Sequence, residues 1–399
     1  MPDIIIVSGV NYGDCGKGLV TNHFSNEKSL VVLSSNSCQR AHTVVHNNIR
    51  HIFRHFGSGT LKGAYTYLTD DFMINPSMFR DEYESLKSIG VEPKVYYNPR
   101  CIIVSPYDMI SNQLVETSRG DNRHSSCGCG AWETRLRVRD YKSFGERKDL
   151  TLSDPEHFVS YTIPEIVRYY AASRFVDGSS CFKGMREFAT DVARLNFESD
   201  VAFFLDHAIP ITSMEHESEF FHSFDKVIFE NSQGLLLDTM YNDDIDRTTP
   251  AHVGAHIPSQ IIHRVFALDR GITVKNIYVT RTYFTRHGNG DIGTFGECSK
   301  ASINAFMEDK TNVPNPWQGN LRYGLISKID ARLMLMRMMK DNAFLTDPVL
   351  GEIKSDLCLA VTHINEYKNE QLLDVFKSNS SVRIYLSENE EEIYESENT

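Results

Sequence analysis

Asp14 and Lys17 stand among glycines in the run Gly9-Val10-Asn11-Tyr12-Gly13-Asp14-Cys15-Gly16-Lys17-Gly18, directly after the apolar residues Ile4, Ile5, Ile6 and Val7. A strand that breaks into glycines around a carboxylate and an ammonium suits the binding of phosphate. Gly13, Gly16 and Gly18 let backbone N–H groups turn toward anionic oxygens, Lys17 supplies charge, and a helix N-terminus is expected next. The run is not a Walker A loop, which needs a glycine where Asn11 stands and a hydroxyl residue where Gly18 stands. A plain structural turn is the alternative for any glycine-rich loop; the buried-strand context and Asp14 favour a nucleotide.

His42 is the second candidate, in Asn36-Ser37-Cys38-Gln39-Arg40-Ala41-His42-Thr43-Val44-Val45 after the apolar run 30–33. In an open α/β sheet the carboxyl ends of the strands are where ligands bind. With 15 histidines in the chain, most must be structural, and only the company His42 keeps singles it out.

These residues need a scaffold. Apolar runs at 4–7, 30–33, 227–229, 277–280, 357–361 and 382–385 read as buried strands, and amphipathic spacing predicts helices over 76–89, 164–172, 259–268, 300–308 and 326–339. Their alternation predicts an α/β fold with a largely parallel central sheet flanked by helices. No repeat or long linker stands out, so one large domain with insertions is expected over 1–386, followed by an acidic tail, 387–399, expected to fray. With 399 residues and 41% hydrophobic content the chain can bury a large core. The net charge of -12 argues against broad binding to nucleic acid or to acidic membranes, though it allows a local basic pocket. Eight scattered cysteines, with only Cys127-Gly128-Cys129 close together, read as free thiols of a reducing cytosol. The start runs straight into a strand with no basic and apolar leader, and no apolar run would span a bilayer, so a cytoplasmic protein is expected.

Gly13-Asp14-Cys15-Gly16-Lys17-Gly18 followed by Arg40-Ala41-His42-Thr43-Val44-Val45 resembles adenylosuccinate synthetase, whose segments read Gly-Asp-Glu-Gly-Lys-Gly and Asn-Ala-Gly-His-Thr-Val. The resemblance continues in order along nearly the whole chain. His55-Phe56-Gly57-Ser58-Gly59 is similar to the family's His-Leu-x-Pro-Ser-Gly turn, and Glu230-Asn231-Ser232-Gln233-Gly234-Leu235-Leu236-Leu237-Asp238 to its Glu-Gly-Ala-Gln-Gly-Thr-Leu-Leu-Asp. Tyr283-Phe284-Thr285-Arg286-His287-Gly288-Asn289-Gly290, closing at Glu297, is similar to Tyr-Thr-Thr-Arg-Val-Gly-x-Gly-Pro and its closing Glu.

The resemblance implies a P-loop-NTPase-related fold and a ligase. A nucleoside triphosphate gives its γ-phosphate to the 6-oxygen of a purine monophosphate, IMP by family default, and L-aspartate displaces it to form adenylosuccinate. By match, Asp14 is the base that takes the N1 proton and His42 the acid that steadies charge on the 6-oxygen. Mg2+ would be held by the Asp14 carboxylate and the Ala41 carbonyl. Gln233 would donate to the purine edge, Thr248 or Thr249 would hold the monophosphate, and Arg286 belongs to the matched nucleotide-binding segments. A homodimer is implied too, because the family sends an arginine across its interface to the substrate phosphate.

Departures from the pattern bear on specificity. The family's phosphate loop appears as His124-Ser125-Ser126-Cys127-Gly128-Cys129-Gly130-Ala131-Trp132-Glu133, where Ser125 and Ser126 remain as contacts and the arginine and proline are gone. Arg135, Arg137 and Arg139 follow; Arg139 fits the spacing of the arginine that crosses the interface, and a solvated basic face is the alternative. The arginine-rich aspartate loop is represented by Trp317-Gln318-Gly319-Asn320-Leu321-Arg322-Tyr323-Gly324, with Arg322 alone to pair with a carboxylate. Where the family has Thr-Lys-Leu-Asp to read guanine, this chain has Thr362-His363-Ile364-Asn365, and Asn offers the acceptor and donor pair that suits adenine. A viral branch of the family makes N6-succinyl-2-aminoadenine deoxynucleotide from dGMP and uses adenine nucleotides, which is the alternative to IMP and GTP; that branch replaces the catalytic Asp, yet Asp14 is intact. A catalytically silent nucleotide-binding relative is the rival from another class, disfavoured by the retained Asp14, Lys17, His42 and Gln233. A P-loop GTPase switch lacks both Walker A spacing and the Asn-Lys-x-Asp base reader.

Overall fold

The computed structural model describes residues 1–34, 36–120, 124, 126–143, 151–172, 191–242, 248–249, 251–306, 309, 311–312, 316–346 and 353–396. Among them, ten strands form one sheet in the spatial order Ala208–Pro210, Lys94–Tyr97, Tyr65–Leu68, Ser29–Leu33, Lys226–Glu230, Asp3–Gly9, Thr273–Arg281, Lys354–Thr362, Arg383–Leu386 and Tyr394–Glu395. Every neighbouring pair is parallel except the last, which is antiparallel.

The central strands are apolar on both faces because helices cover both. Ile4 and Ile6 pack with Val227, Phe229 and Val274 on one side, while Ile5 and Val7 pack with Ile228, Ile277 and Val279 on the other. The flanking helices start where side chains replace missing backbone partners. Asn75 accepts from the Met78 N–H ahead of Pro76–Ser88, and Ser105 with Asp108 and Ser327 with Asp330 form reciprocal capping boxes for Pro106–Arg119 and Lys328–Asn342. Asp108 also binds Arg137 through Oδ1 and Oδ2, at 2.8 and 2.9 Å, and accepts from Tyr170. That buried carboxylate joins three helices, Pro106–Arg119, Ala131–Ser143 and Ile163–Ala172.

Two expectations fail locally. The helix expected over 300–308 ends at Ile303, since Asn304 turns extended and its side chain caps the Phe306 N–H. The acidic segment expected to fray is part of the fold up to Ser396: Tyr394–Glu395 pairs with Arg383–Leu386, and Ile393 is buried. The side-chain oxygen of Asn389 accepts from the N–H groups of Glu391 and Glu392 and turns the chain back.

Candidate active site

The carboxyl ends of the strands Asp3–Gly9, Ser29–Leu33, Lys226–Glu230, Thr273–Arg281 and Lys354–Thr362 point to one side of the sheet. There a cavity of about 520 Å³ is lined by Gly13, Asp14, Gly16, Lys17, Gly18, Ala41, His42, Ser126, Gln233, Thr248, Thr249, Arg286, Thr362, His363 and Asn365, among others. Most of the candidate residues, scattered over 350 positions of sequence, therefore meet in one place.

The glycine loop is shaped by close approach. Gly16 has φ +88° and a Cβ there would meet the Thr362 side chain at 2.9 Å; at Gly18 it would meet the Thr43 carbonyl oxygen at 2.8 Å. Thr362 Oγ1 donates to the Cys15 carbonyl at 2.9 Å, tying the loop to a neighbouring strand end. The helix Lys17–Phe24 begins here without a side-chain cap or an acidic residue in its first turn, leaving its N-terminal N–H groups for an anion. Lys17 is buried, and its Nζ donates to the Gln233 carbonyl at 2.7 Å.

Asp14 (φ +47°), Gln233 (φ +60°) and His363 (φ +59°) all take the left-handed backbone conformation that non-glycine residues rarely adopt, and all three line the cavity. Such conformations persist only where surrounding contacts enforce them. For Asp14 one enforcing contact is Arg281, whose Nε donates to its carbonyl at 2.5 Å.

His42 sits in a buried charge cluster. Its Nδ1 is 2.6 Å from Glu230 Oε1, Arg40 lies 2.8 Å from both Glu230 Oε2 and the ring, and Glu230 also accepts from the Ser58 N–H at 2.9 Å and from the Ser58 hydroxyl. Burial alone would raise the Glu230 pKa, but Arg40 and His42 hold it well below the usual carboxylate range. Nδ1 thus faces both an acceptor, the ionised Glu230, and a donor, Arg40, and Nε2 is the nitrogen left for a ligand. Burial, and then the charge of Arg40, push the His42 pKa down to about 3, which keeps the ring neutral. An anionic phosphate in the cavity would offset Arg40 and favour a proton on Nε2.

At the other end, Thr362, His363, Asn365 and Glu366 line the cavity after the strand Lys354–Thr362. Asn365 is exposed there. Burial, with Arg281 nearby, lowers the His363 pKa well below its ordinary value. Thr249 accepts from Gln39 at 3.1 Å, and Ser126 donates to Asn112 at 2.7 Å. Arg286 is buried with its guanidinium 4.6 Å from the centre of the Tyr12 ring.

Three candidates fall elsewhere. Ser125 lies outside the described residues. Arg322 does not line the cavity; it pairs with Glu297 at 2.8 Å and binds the carbonyls of Gly288 and Gly290, so it shapes the loop after Arg286. Arg139 lines a second, smaller cavity that shares Trp132 and Thr249 with the first. Of the three neighbouring arginines, Arg137 is consumed by Asp108 and Arg135 pairs with Asp71, whereas the Arg139 side chain is 71% exposed.

Sequence reading quoted Glu230 in a matched segment without giving it a role, and passed over Arg281 and the pair Asp309 and Asn312. A signal existed for the first two: each is a charged residue closing an apolar strand at its carboxyl end, where burial of a charge demands a partner or a ligand.

Known proteins share this fold. The solved structure of cyanophage S-2L succinoaminodeoxyadenylate synthetase, bound to dGMP and to dATP as an energy donor, superposes with a TM-score of 0.64 at 14% identity, over 99% of this chain and 95% of that one. The fully ligated adenylosuccinate synthetase of Plasmodium falciparum superposes with a TM-score of 0.60 at 15% identity, over 91% and 77%. At these identities the two establish the fold. Among curated relatives, the adenylosuccinate synthetase of Borrelia turicatae is 31% identical over 117 residues, 29% of this chain and 27% of its own length, and that of Buchnera aphidicola subsp. Baizongia pistaciae is 24% identical over 307 residues, 73% and 66%. The matched segments thus span about a quarter to two thirds of those relatives. The family model for adenylosuccinate synthetase matches residues 6–311, more than half of the sequence, and the chain belongs to the adenylosuccinate synthetase family.

Proposed function

We propose that this protein is a ligase that forms a C–N bond between L-aspartate and a 6-oxopurine nucleoside monophosphate, IMP by family default, through a 6-phosphoryl intermediate driven by a nucleoside triphosphate. The observation that carries the reading is the meeting of Asp14, Lys17 and His42 in one cavity, at the start of an uncapped helix. Asp14 takes the N1 proton and makes the 6-oxygen a nucleophile. Lys17 and the helix N-terminus hold the transferring phosphate, and His42, held by Glu230, gives or shares a proton at the 6-oxygen through Nε2. Gln233 meets the purine edge, with Ser126, Thr248 and Thr249 toward the monophosphate.

Asp14 and the Ala41 carbonyl fit Mg2+, a hard cation that takes few protein oxygens and fills its shell with phosphate and water. When bound it would neutralise charge on the phosphates. The exposed Arg139 suits a homodimer in which that arginine reaches the partner's substrate phosphate. Seven described cysteines are free, five of them buried, which suits the cytoplasm, and no described helix is long and apolar enough to cross a membrane.

A second reading, dGMP with ATP or dATP, is favoured by Asn365 in place of the guanine-reading Asp and by the fold match to the cyanophage enzyme over nearly both whole chains. One experiment separates the two: purified protein with aspartate and Mg2+ is given IMP, dIMP, GMP or dGMP against ATP, dATP or GTP, and the succinylated product is identified by mass. IMP is expected to yield adenylosuccinate. Product only from dGMP selects the second reading, and no product from any pair overturns both.

A further inference from the structure

His287 closes the strand Tyr283–His287 and lines the cavity at the position where the family pattern has valine. Its Nε2 lies 3.6 Å from Asp14 Oδ2 and 3.2 Å from Asn312 Oδ1. Asn312 is itself pinned. Its backbone N–H donates to Asp309 Oδ1 at 2.9 Å and its Nδ2 to Asp309 Oδ2 at 2.8 Å, so its Oδ1 must face the ring. Two oxygens that only accept therefore face Nε2, and this nitrogen carries the hydrogen.

The contacts close a loop. Arg281 donates through Nε to the Asp14 carbonyl and pairs through Nη2 with Asp309 at 3.4 Å; Asp309 holds Asn312, Asn312 holds His287, and His287 returns to the Asp14 carboxylate. Asp14 is thus gripped at its carbonyl and faced at its carboxylate by one polar circuit, while its backbone is in a left-handed conformation. Among the described residues, His287 is the only cationic or imidazole side chain within 4 Å of the Asp14 carboxylate. Among the described residues His287 Nδ1 is buried without a hydrogen-bond partner, so the ring is held through Nε2. A separation of 3.6 Å is longer than a hydrogen bond, but catalytic contacts tighten when substrate closes the site.

We propose that His287 is a positioning residue for Asp14: its Nε2–H, aimed by Asn312, orients the carboxylate toward the proton it removes, a task the valine of the family pattern cannot perform. The inference rests on the reading of Asp14 as the base.

The test compares His287→Val, His287→Gln and Asn312→Leu with Asp14→Asn, using the substrate pair that the product assay identifies. Loss of the Nε2–H should lower kcat on the order of tenfold to a hundredfold in His287→Val, with the KM of the triphosphate changed less than about threefold. His287→Gln, which places an N–H near the same point, should recover much of the rate, and Asn312→Leu should lower kcat with the ring still present. In an Asp14→Asn background, His287→Val should add little, because its effect passes through the missing carboxylate. Full kcat in folded His287→Val overturns the proposal, as does an equal loss in the Asp14→Asn background. If His287→Val fails to fold, native kcat in Asn312→Leu overturns it instead. Near-native turnover in Asp14→Asn itself refutes the reading of the base, a separate failure.

Discussion

Arg40, His42 and Glu230 form a cluster closed off from solvent, and in it the carboxylate faces both of the other charged or titratable groups at once. Taking one member out of a buried ion pair leaves the other charge stranded, at a cost of about 3–5 kcal/mol. Arg40 is poorly placed to recover, since among the described residues its Nε and Nη1 have no hydrogen-bond partner. Glu230→Gln should therefore lower the melting temperature markedly and reduce turnover, because a neutral amide leaves the Arg40 charge unpaired beside His42. The pH dependence has a definite sign. The folded-state pKa of Glu230 lies below its ordinary 4.5, so the pair stabilises the fold above about pH 4.5 and that contribution is lost as pH falls further. Thermal melts of both proteins from pH 7 down to about pH 2 check this: the gap should hold from neutral pH to about pH 4.5 and narrow progressively below it. A constant gap would mean that Glu230 acts through packing and not through charge.

The loops at the strand ends carry the specificity. Asn365 stands in the cavity beyond Thr362, where an Asp would accept two hydrogen bonds from a guanine edge. Asn offers one acceptor and one donor, and a buried polar group left unpaired costs about 1–3 kcal/mol. ATP or dATP should rival or beat GTP in the native protein, and Asn365→Asp should shift kcat/KM toward GTP by roughly tenfold to a hundredfold. Strong native preference for GTP would sink this reading of the loop. Strands such as Asp3–Gly9 were legible because burial on both faces leaves unbroken apolar runs, and the glycine loop was legible because its chemistry is local in sequence. The hairpin of His42–His46 and Ile49–Phe53 was passed over although Asn47 and Asn48, both at positive φ, are residues that such a tight turn favours. The acidic C-terminal segment misled because its charge outweighed its apolar anchor, Ile393, which is buried along with Ser387 and Ser396. Contacts such as Asp14 with His287, or Arg50 with Glu390 at 2.8 Å, join residues hundreds of positions apart, and no local pattern announces them.

At the scale of the whole molecule, the two cavities pose the question of how many chains make one site. The phosphate loop has lost the arginine of the family pattern, and of the three arginines that follow it Arg139, paired only with its sequence neighbour Asp140 at 3.2 Å among the described residues, is the one whose side chain is largely exposed. It lies beside the second cavity, which meets the first at Trp132 and Thr249. A two-fold dimer that brought this face against its copy would let each Arg139 serve the other chain's phosphate, since one patch on each subunit then contacts the same patch on its partner. Arg139→Leu should be nearly inactive as a homodimer, and Asp14→Asn likewise. Subunits of the two variants, mixed and allowed to exchange, should regain up to about a quarter of native activity, because half of a random mixture is hybrid and each hybrid holds one intact site. Arg139→Lys alone should recover part of the rate, as a point charge without the planar fork. Light scattering that finds a monomer at working concentrations, or mixed variants that stay inactive despite proven exchange, would leave each chain to bind its own substrate phosphate without Arg139.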